Sequence, residues 1–121
     1  MNFRPILLLC LALLSNPATS AEQAISHLVM VWLKAEISPE QKQEIMSAAQ
    51  QLSAIPGVIS VQAGLPVASE RSIVDDSFSF GINIGLSDAS AIDAYLKHPI
   101  HVNYVDTHIK GKTRKLLIYD F

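Results

Sequence analysis

The chain is poor in cysteine. Cys10 is the only one among 121 residues, so no disulfide can form within the chain and a cysteine-based metal cluster is excluded. It also lacks an excess of positive charge. Nine lysines and arginines face eleven aspartates and glutamates, a formal charge of −2, which leaves no electrostatic footprint for nucleic acid or an anionic membrane surface. Long apolar runs are missing too. The longest, residues 6–14, has nine residues, against about 20 needed to cross a bilayer core. There is no glycine-rich phosphate loop, nucleophile elbow, paired-carboxylate motif, internal repeat or low-complexity tract.

What is present begins with an export signal. Arg4 gives a positive start, "ILLLCLALL" follows as the apolar region, and "NPATSA" supplies a helix breaker and small residues for a cleavage site. Residues 1–21 are therefore expected to be a signal peptide and residues 22–121 a single domain. Cleavage removes Cys10 and Arg4, leaving eight basic against eleven acidic residues. The expected product is an exported protein, periplasmic or secreted, with no membrane attachment after cleavage. The cluster "KGKTRK", residues 110–115, reads as a solvated turn before a strand.

Segment order gives the fold. "ISHLVMVWL", residues 25–33, is β-branched and aromatic without glycine or proline, which predicts a strand. Ser38, Pro39 and Gln41 then form a helix start: an N-cap, a proline at the first helical position and a capping-box partner. Ile45, Ala49 and Leu52 continue as a helical stripe that "IPG" at 55–57 ends. Residues 58–65 predict a second strand and 66–76 a loop. In residues 77–86, Phe78, Phe80, Ile82, Ile84 and Leu86 alternate with small or polar residues, which predicts a third strand. Ser87 or Asp88 is expected to cap a second helix carrying Ala91, Ile92 and Tyr95. Pro99 ends or kinks it and opens another turn or two through Val105. Residues 115–121 predict the last strand. The order βαββαβ with right-handed crossovers implies a ferredoxin-like α+β sandwich, a four-stranded antiparallel sheet with both helices on one face.

The first strand is apolar on both faces. His27, Val29, Val31 and Leu33 point one way; Leu28, Met30 and Trp32 point the other. A sheet with helices on one side should show a polar outer face, so Leu28, Met30 and Trp32 are expected to meet a second copy of the chain in a homodimer.

Chemistry concentrates in "YLKHPIHVNY", residues 95–104. Tyr95 and His101 converge if Pro99 redirects the chain, and they then form an acid–base pair. Histidine takes a proton while tyrosine stabilises a developing oxyanion. His27 reads either as a satisfied core histidine or as a group that polarises a pocket. His98, held out of helical geometry by the following proline, reads as a cap or turn contact. A metal set of His98, His101, His108 and Asp106 lacks familiar spacing, so neither metal nor cofactor is expected. Asp120 is expected to cap or pair locally.

"HLVMVWLK", "IPGV", "YLKHPIHV" and the closing "KLLIYDF" together resemble the stress-responsive dimeric α/β-barrel domain family, in order and over nearly all of residues 22–121. The resemblance implies two ferredoxin-like subunits paired sheet to sheet as a barrel. Most members have no established activity. One plant member is a cyclase that closes an aldol ring with a tyrosine and histidines between sheet and helices. Those positions fall on Tyr95, His101 and His27 here; a further pocket histidine of that enzyme falls on Phe80, a departure. The expected ligand-binding set is His27, Val29, Val31, Phe80, Ile82, Tyr95 and His101, around a small hydrophobic molecule, with Tyr95 and His101 as the catalytic pair if the protein is a cyclase- or lyase-type enzyme. A purely structural or interaction module without a ligand is the remaining alternative. N-terminal sequencing of the protein from its native host tests the export signal: the chain should begin at Ala21 or Glu22, and an intact Met1 on a membrane-bound product would contradict it.

Overall fold

The computed structural model describes residues 23–121; the expected signal peptide lies outside the described residues. Strands β1 (Ile25–Leu33), β2 (Val58–Gly64), β3 (Phe80–Leu86) and β4 (Thr113–Asp120) form one antiparallel sheet in the order β2-β3-β1-β4. Helices α1 (Pro39–Ala48), α2 (Ala91–Lys97) and α3 (Pro99–Tyr104) complete the ferredoxin-like arrangement.

Local chemistry explains where each element starts and stops. The Ser38 hydroxyl accepts from the Gln41 N–H at 3.1 Å, and the Gln41 side chain accepts from the Ser38 N–H at 2.8 Å. That capping box satisfies two amide donors at the α1 N-terminus. The helix tightens into a 3₁₀ segment, Ala49–Ala54, and Gly57 turns the chain with φ of 88°. A side chain at 57 would be strained by that angle and would crowd Ala91. At the second helix the expected cap is displaced. Ser90 occupies the N-cap without a side-chain bond, and the Asp88 carboxylate holds the preceding turn by accepting from the Ser90 N–H at 2.8 Å.

β3 also begins later than its alternation predicts. Its pairing with β1 starts at Phe80 opposite Val31. Phe78 does not join the core face; its ring meets Trp32 edge-on at 6.4 Å. The cause lies in the preceding turn. The Ser77 N–H donates to Asp75 at 2.9 Å and the Trp32 indole N–H donates to the Ser77 hydroxyl at 3.0 Å, which turns Phe78 onto the outer face.

The core lies between sheet and helices. Val31, Leu33, Phe80, Ile82, Ile84 and Leu86 from the sheet meet Ile45, Ala49, Leu52, Tyr95 and Tyr104 from the helices. Within the helix layer, one buried hydrogen bond ties α3 to α1. At the α-to-3₁₀ transition the Ala49 amide bonds the carbonyls of Met46 and Ser47 and not that of Ile45. The Ile45 carbonyl accepts instead from the buried Tyr104 hydroxyl at 2.8 Å. Tyr104→Phe removes that donor inside the core. It should cost about 1–3 kcal/mol, the penalty for a stranded buried acceptor, which thermal unfolding would register; an unchanged melting temperature would show that the carbonyl finds another donor.

Candidate functional site

A cavity of about 230 Å³ opens between β1, β4 and the α2–α3 corner. Its polar end is formed by His27, Tyr95 and His101; Val29, Leu52, Ile82, Ile109, Leu116 and Ile118 supply much of the apolar wall. Among the described residues, no lysine, arginine or carboxylate lines it.

The corner that builds this end depends on Pro99. His98, directly before it, is extended with φ −64° and ψ 137°, as sterics with the proline ring require. Its Nδ1 accepts from the Ile100 N–H at 3.1 Å and so caps α3. In an unbroken helix that amide would bond the Leu96 carbonyl. The Leu96 carbonyl accepts instead from His101 Nδ1–H at 2.9 Å. A carbonyl can only accept, so neutral His101 carries its hydrogen on Nδ1 and its lone pair on Nε2. The His101 ring lies 4.8 Å from the Tyr95 ring, centroid to centroid, and the His27 ring lies 5.5 Å from Tyr95, edge-on.

The protonation states suit complementary tasks. Burial pushes the Tyr95 phenol well above its ordinary range, so it remains a donor. Its hydroxyl has no hydrogen-bond partner among the described residues. Burial also lowers the His101 pKa from 6.5. The Leu96 carbonyl opposes that shift and the nearby His27 adds to it.

His27 is 3 % exposed and its Nδ1 lies 2.6 Å from an Asp120 carboxylate oxygen. This corrects the expectation that Asp120 acts locally: the two residues are 93 positions apart and stand directly opposite in the β1–β4 register. The carboxylate fixes which His27 nitrogen carries hydrogen, as a second carboxylate does in many histidine sites.

The structure brings His27, Val29, Ile82, Tyr95 and His101 to the cavity. Val31 and Phe80, expected beside them, do not line it. Both are 0 % exposed, facing each other across the β1–β3 pair deeper in the core. His98 and His101 do not converge as an H-x-x-H pair, because one caps α3 and the other reaches back to Leu96. His108 stacks on Tyr104 at 5.1 Å and Asp106 pairs with Lys110 at 2.8 Å. Sequence reading missed Asp120, Leu116 and Ile118, which occupy alternate positions of β4 opposite His27, Val31 and Val29. Pairing β4 with β1 in register was the signal that would have found them.

A profile of the stress responsive A/B barrel domain matches residues 25–121. The chain belongs to that family. Olivetolic acid cyclase of Cannabis sativa is 27% identical over 99 residues, covering 81% of this chain and 95% of the cyclase. Among solved structures, hydroxynitrile lyase from Passiflora edulis superposes with a TM-score of 0.71 at 15% identity, over 84% of this chain and 93% of the lyase. A dimeric ferredoxin-like protein of unknown function from Thermobifida fusca gives 0.67 at 19% identity, over 83% and 91%. These structural likenesses concern the A/B barrel fold.

The lowered His101 pKa has a definite sign. The ring is neutral at pH 7 and gains a proton, losing its base function, only as pH falls through a value below 6.5. An NMR titration of the His101 ring should show a midpoint below 6.5, with hydrogen on Nδ1 in the neutral form. A midpoint above 6.5 would mean the ring is solvated or paired with an anion.

Proposed function

We propose that the cavity takes a small uncharged molecule with an apolar body and a carbonyl group, and that the polar end moves a proton on it. The observation that carries this reading is the contrast within one cavity: an apolar wall without a charged side chain, ending in an unpartnered phenol and an imidazole whose free nitrogen is a base. Burying a net charge against such a wall costs several kcal/mol or more without a partner, which disfavours ionic ligands. The volume is below the roughly 300–1,000 Å³ typical of drug-sized sites, which favours a compact one.

The chemistry balances with these groups alone. His101 Nε2 takes a proton from the carbon beside the carbonyl. The bonding pair moves into an enolate whose oxygen accepts a hydrogen bond from Tyr95. The enolate carbon then adds to a second carbonyl of the same molecule, and the new alkoxide takes the proton back from His101. Run in reverse, the same steps cleave a carbon–carbon bond. His27, held by Asp120, packs edge-on against Tyr95. The activities named for two relatives, a cyclase and a lyase, are consistent with such a site.

The protein is further proposed to act as an exported homodimer. The outer sheet face supports the second copy. Leu28 and Met30 are only partly buried there, and Leu117 and Tyr119 of β4 stand exposed beside them. Trp32 shares that face but is covered by its own chain: Phe78 packs on it, and Lys115 lies 4.5 Å over its ring. Several solved proteins of this fold are described as dimeric.

Deuterium exchange into β-tetralone, a compact neutral ketone with acidic C–H bonds next to its carbonyl, tests the proton transfer. The wild type should accelerate exchange. Tyr95→Phe should lose about 10²–10³-fold, as for removal of one oxyanion donor, and His101→Gln about 10²–10⁴-fold, as for loss of a general base. Binding without accelerated exchange would leave a carrier for apolar molecules; neither binding nor exchange would reject the site.

A further inference from the structure

The cavity wall is unfinished on one side. β4 is an edge strand, hydrogen-bonded to β1 alone. Its helix-side residues Leu116 and Ile118 line the cavity and yet are 42% and 49% exposed. Asp120, next on the same face, has a side chain 40% exposed, although the side chain of its partner His27 is only 4% exposed. The opposite face of the strand is no better covered: Leu117, Tyr119 and the following Phe121 are also exposed.

Natural edge strands are normally guarded by charge, proline or a bulge. The stretch 116–119 carries none of these. The nearby Lys115 is folded over Trp32, and the register irregularity opposite β4 falls at Trp32 and Leu33, before this stretch. An unguarded edge with apolar side chains on both faces is suited to another strand edge of the same kind. A second observation points the same way. The side-chain oxygen of Asn83, on the outer face opposite Leu28 and Gln62, is buried without a hydrogen-bond partner among the described residues. No described residue supplies a donor, and buried acceptors are rarely left so.

We infer that a second copy of this chain, docked along β4 and the outer sheet face, closes the cavity over Leu116 and Ile118, so that each site is complete only in the dimer. The inference rests on the homodimer proposed above and adds what the dimer does. The second copy excludes water from the β4 side of the cavity and deepens the burial of the groups that meet there: His101, the Tyr95 phenol, and the His27–Asp120 pair. It also places a donor within reach of Asn83.

Leu117→Glu tests this, because Leu117 faces away from the cavity, opposite Met30. Sedimentation should show the wild type as a dimer and the variant as a monomer, with circular dichroism confirming that the variant is folded. Two measurements then follow on each: the NMR titration midpoint of His101 and the affinity for β-tetralone. The midpoint should be lower in the dimer than in the monomer, and affinity should fall tenfold or more (~1.4 kcal/mol) in the monomer. Should the variant fail to fold, equilibrium dialysis of β-tetralone against wild type above and below its dimer dissociation concentration makes the same comparison. A folded monomer with an unchanged midpoint and affinity, or affinity unchanged by dilution through dissociation, would overturn the inference. So would a wild type that is monomeric, or a Leu117→Glu variant that remains dimeric. If β-tetralone binds neither form, the ligand reading fails, while the His101 midpoint still decides closure.

Discussion

Pro99 is the constraint on which the site depends. It has no N–H to donate and its ring excludes helical geometry at His98, so α2 must end at Lys97 and α3 must start afresh. In an uninterrupted helix the six residues from Tyr95 to His101 would advance about 600°, placing the rings on different sides. The break cancels that rotation and brings their centroids to 4.8 Å. It also exchanges hydrogen bonds. His98 takes the Ile100 amide, and the Leu96 carbonyl thereby released takes His101 Nδ1–H. A helix interruption thus sets both the position and the tautomer of the proposed base.

The remainder of the site follows from burial. The same apolar surroundings act in opposite directions on the two groups, because desolvation disfavours whichever form is charged. The phenol stays protonated and the imidazole stays neutral. That division yields a donor and a base side by side near neutral pH. The carboxylate nearest in function, Asp120, is spent on orienting His27 across the β1–β4 pair. An apolar cavity with one polar end fixes a ligand's orientation and leaves little freedom in its charge.

Much of this was legible in the sequence, where the relevant signals are local. The Ser38–Gln41 capping box, the limits of β1, the stop at "IPG" and the two faces of β1 depend on neighbouring residues, and they appear as expected. The convergence of Tyr95 and His101 was legible because a proline states where a helix must break. What escaped reading was set across the sheet. Asp120 meets His27 only through strand register. Phe78 leaves its alternating strand because Trp32 bonds Ser77, 45 residues away. Val31 and Phe80 share the correct face but sit deeper than the cavity, and alternation reports a face, not a depth. Leu116 and Ile118 were read only as part of the last strand, and the position of β4 at the sheet edge beside β1 makes them cavity wall.

The central claim is that Tyr95 and His101 act together on a carbonyl compound inside this cavity. A crystal structure of the protein soaked with β-tetralone tests it most directly. The ketone should lie against Ile82, Ile109 and Leu116, with its oxygen within hydrogen-bond distance of the Tyr95 hydroxyl and its acidic carbon facing His101 Nε2. An empty cavity, or a ketone whose oxygen points away from Tyr95 toward the apolar wall, would contradict the account.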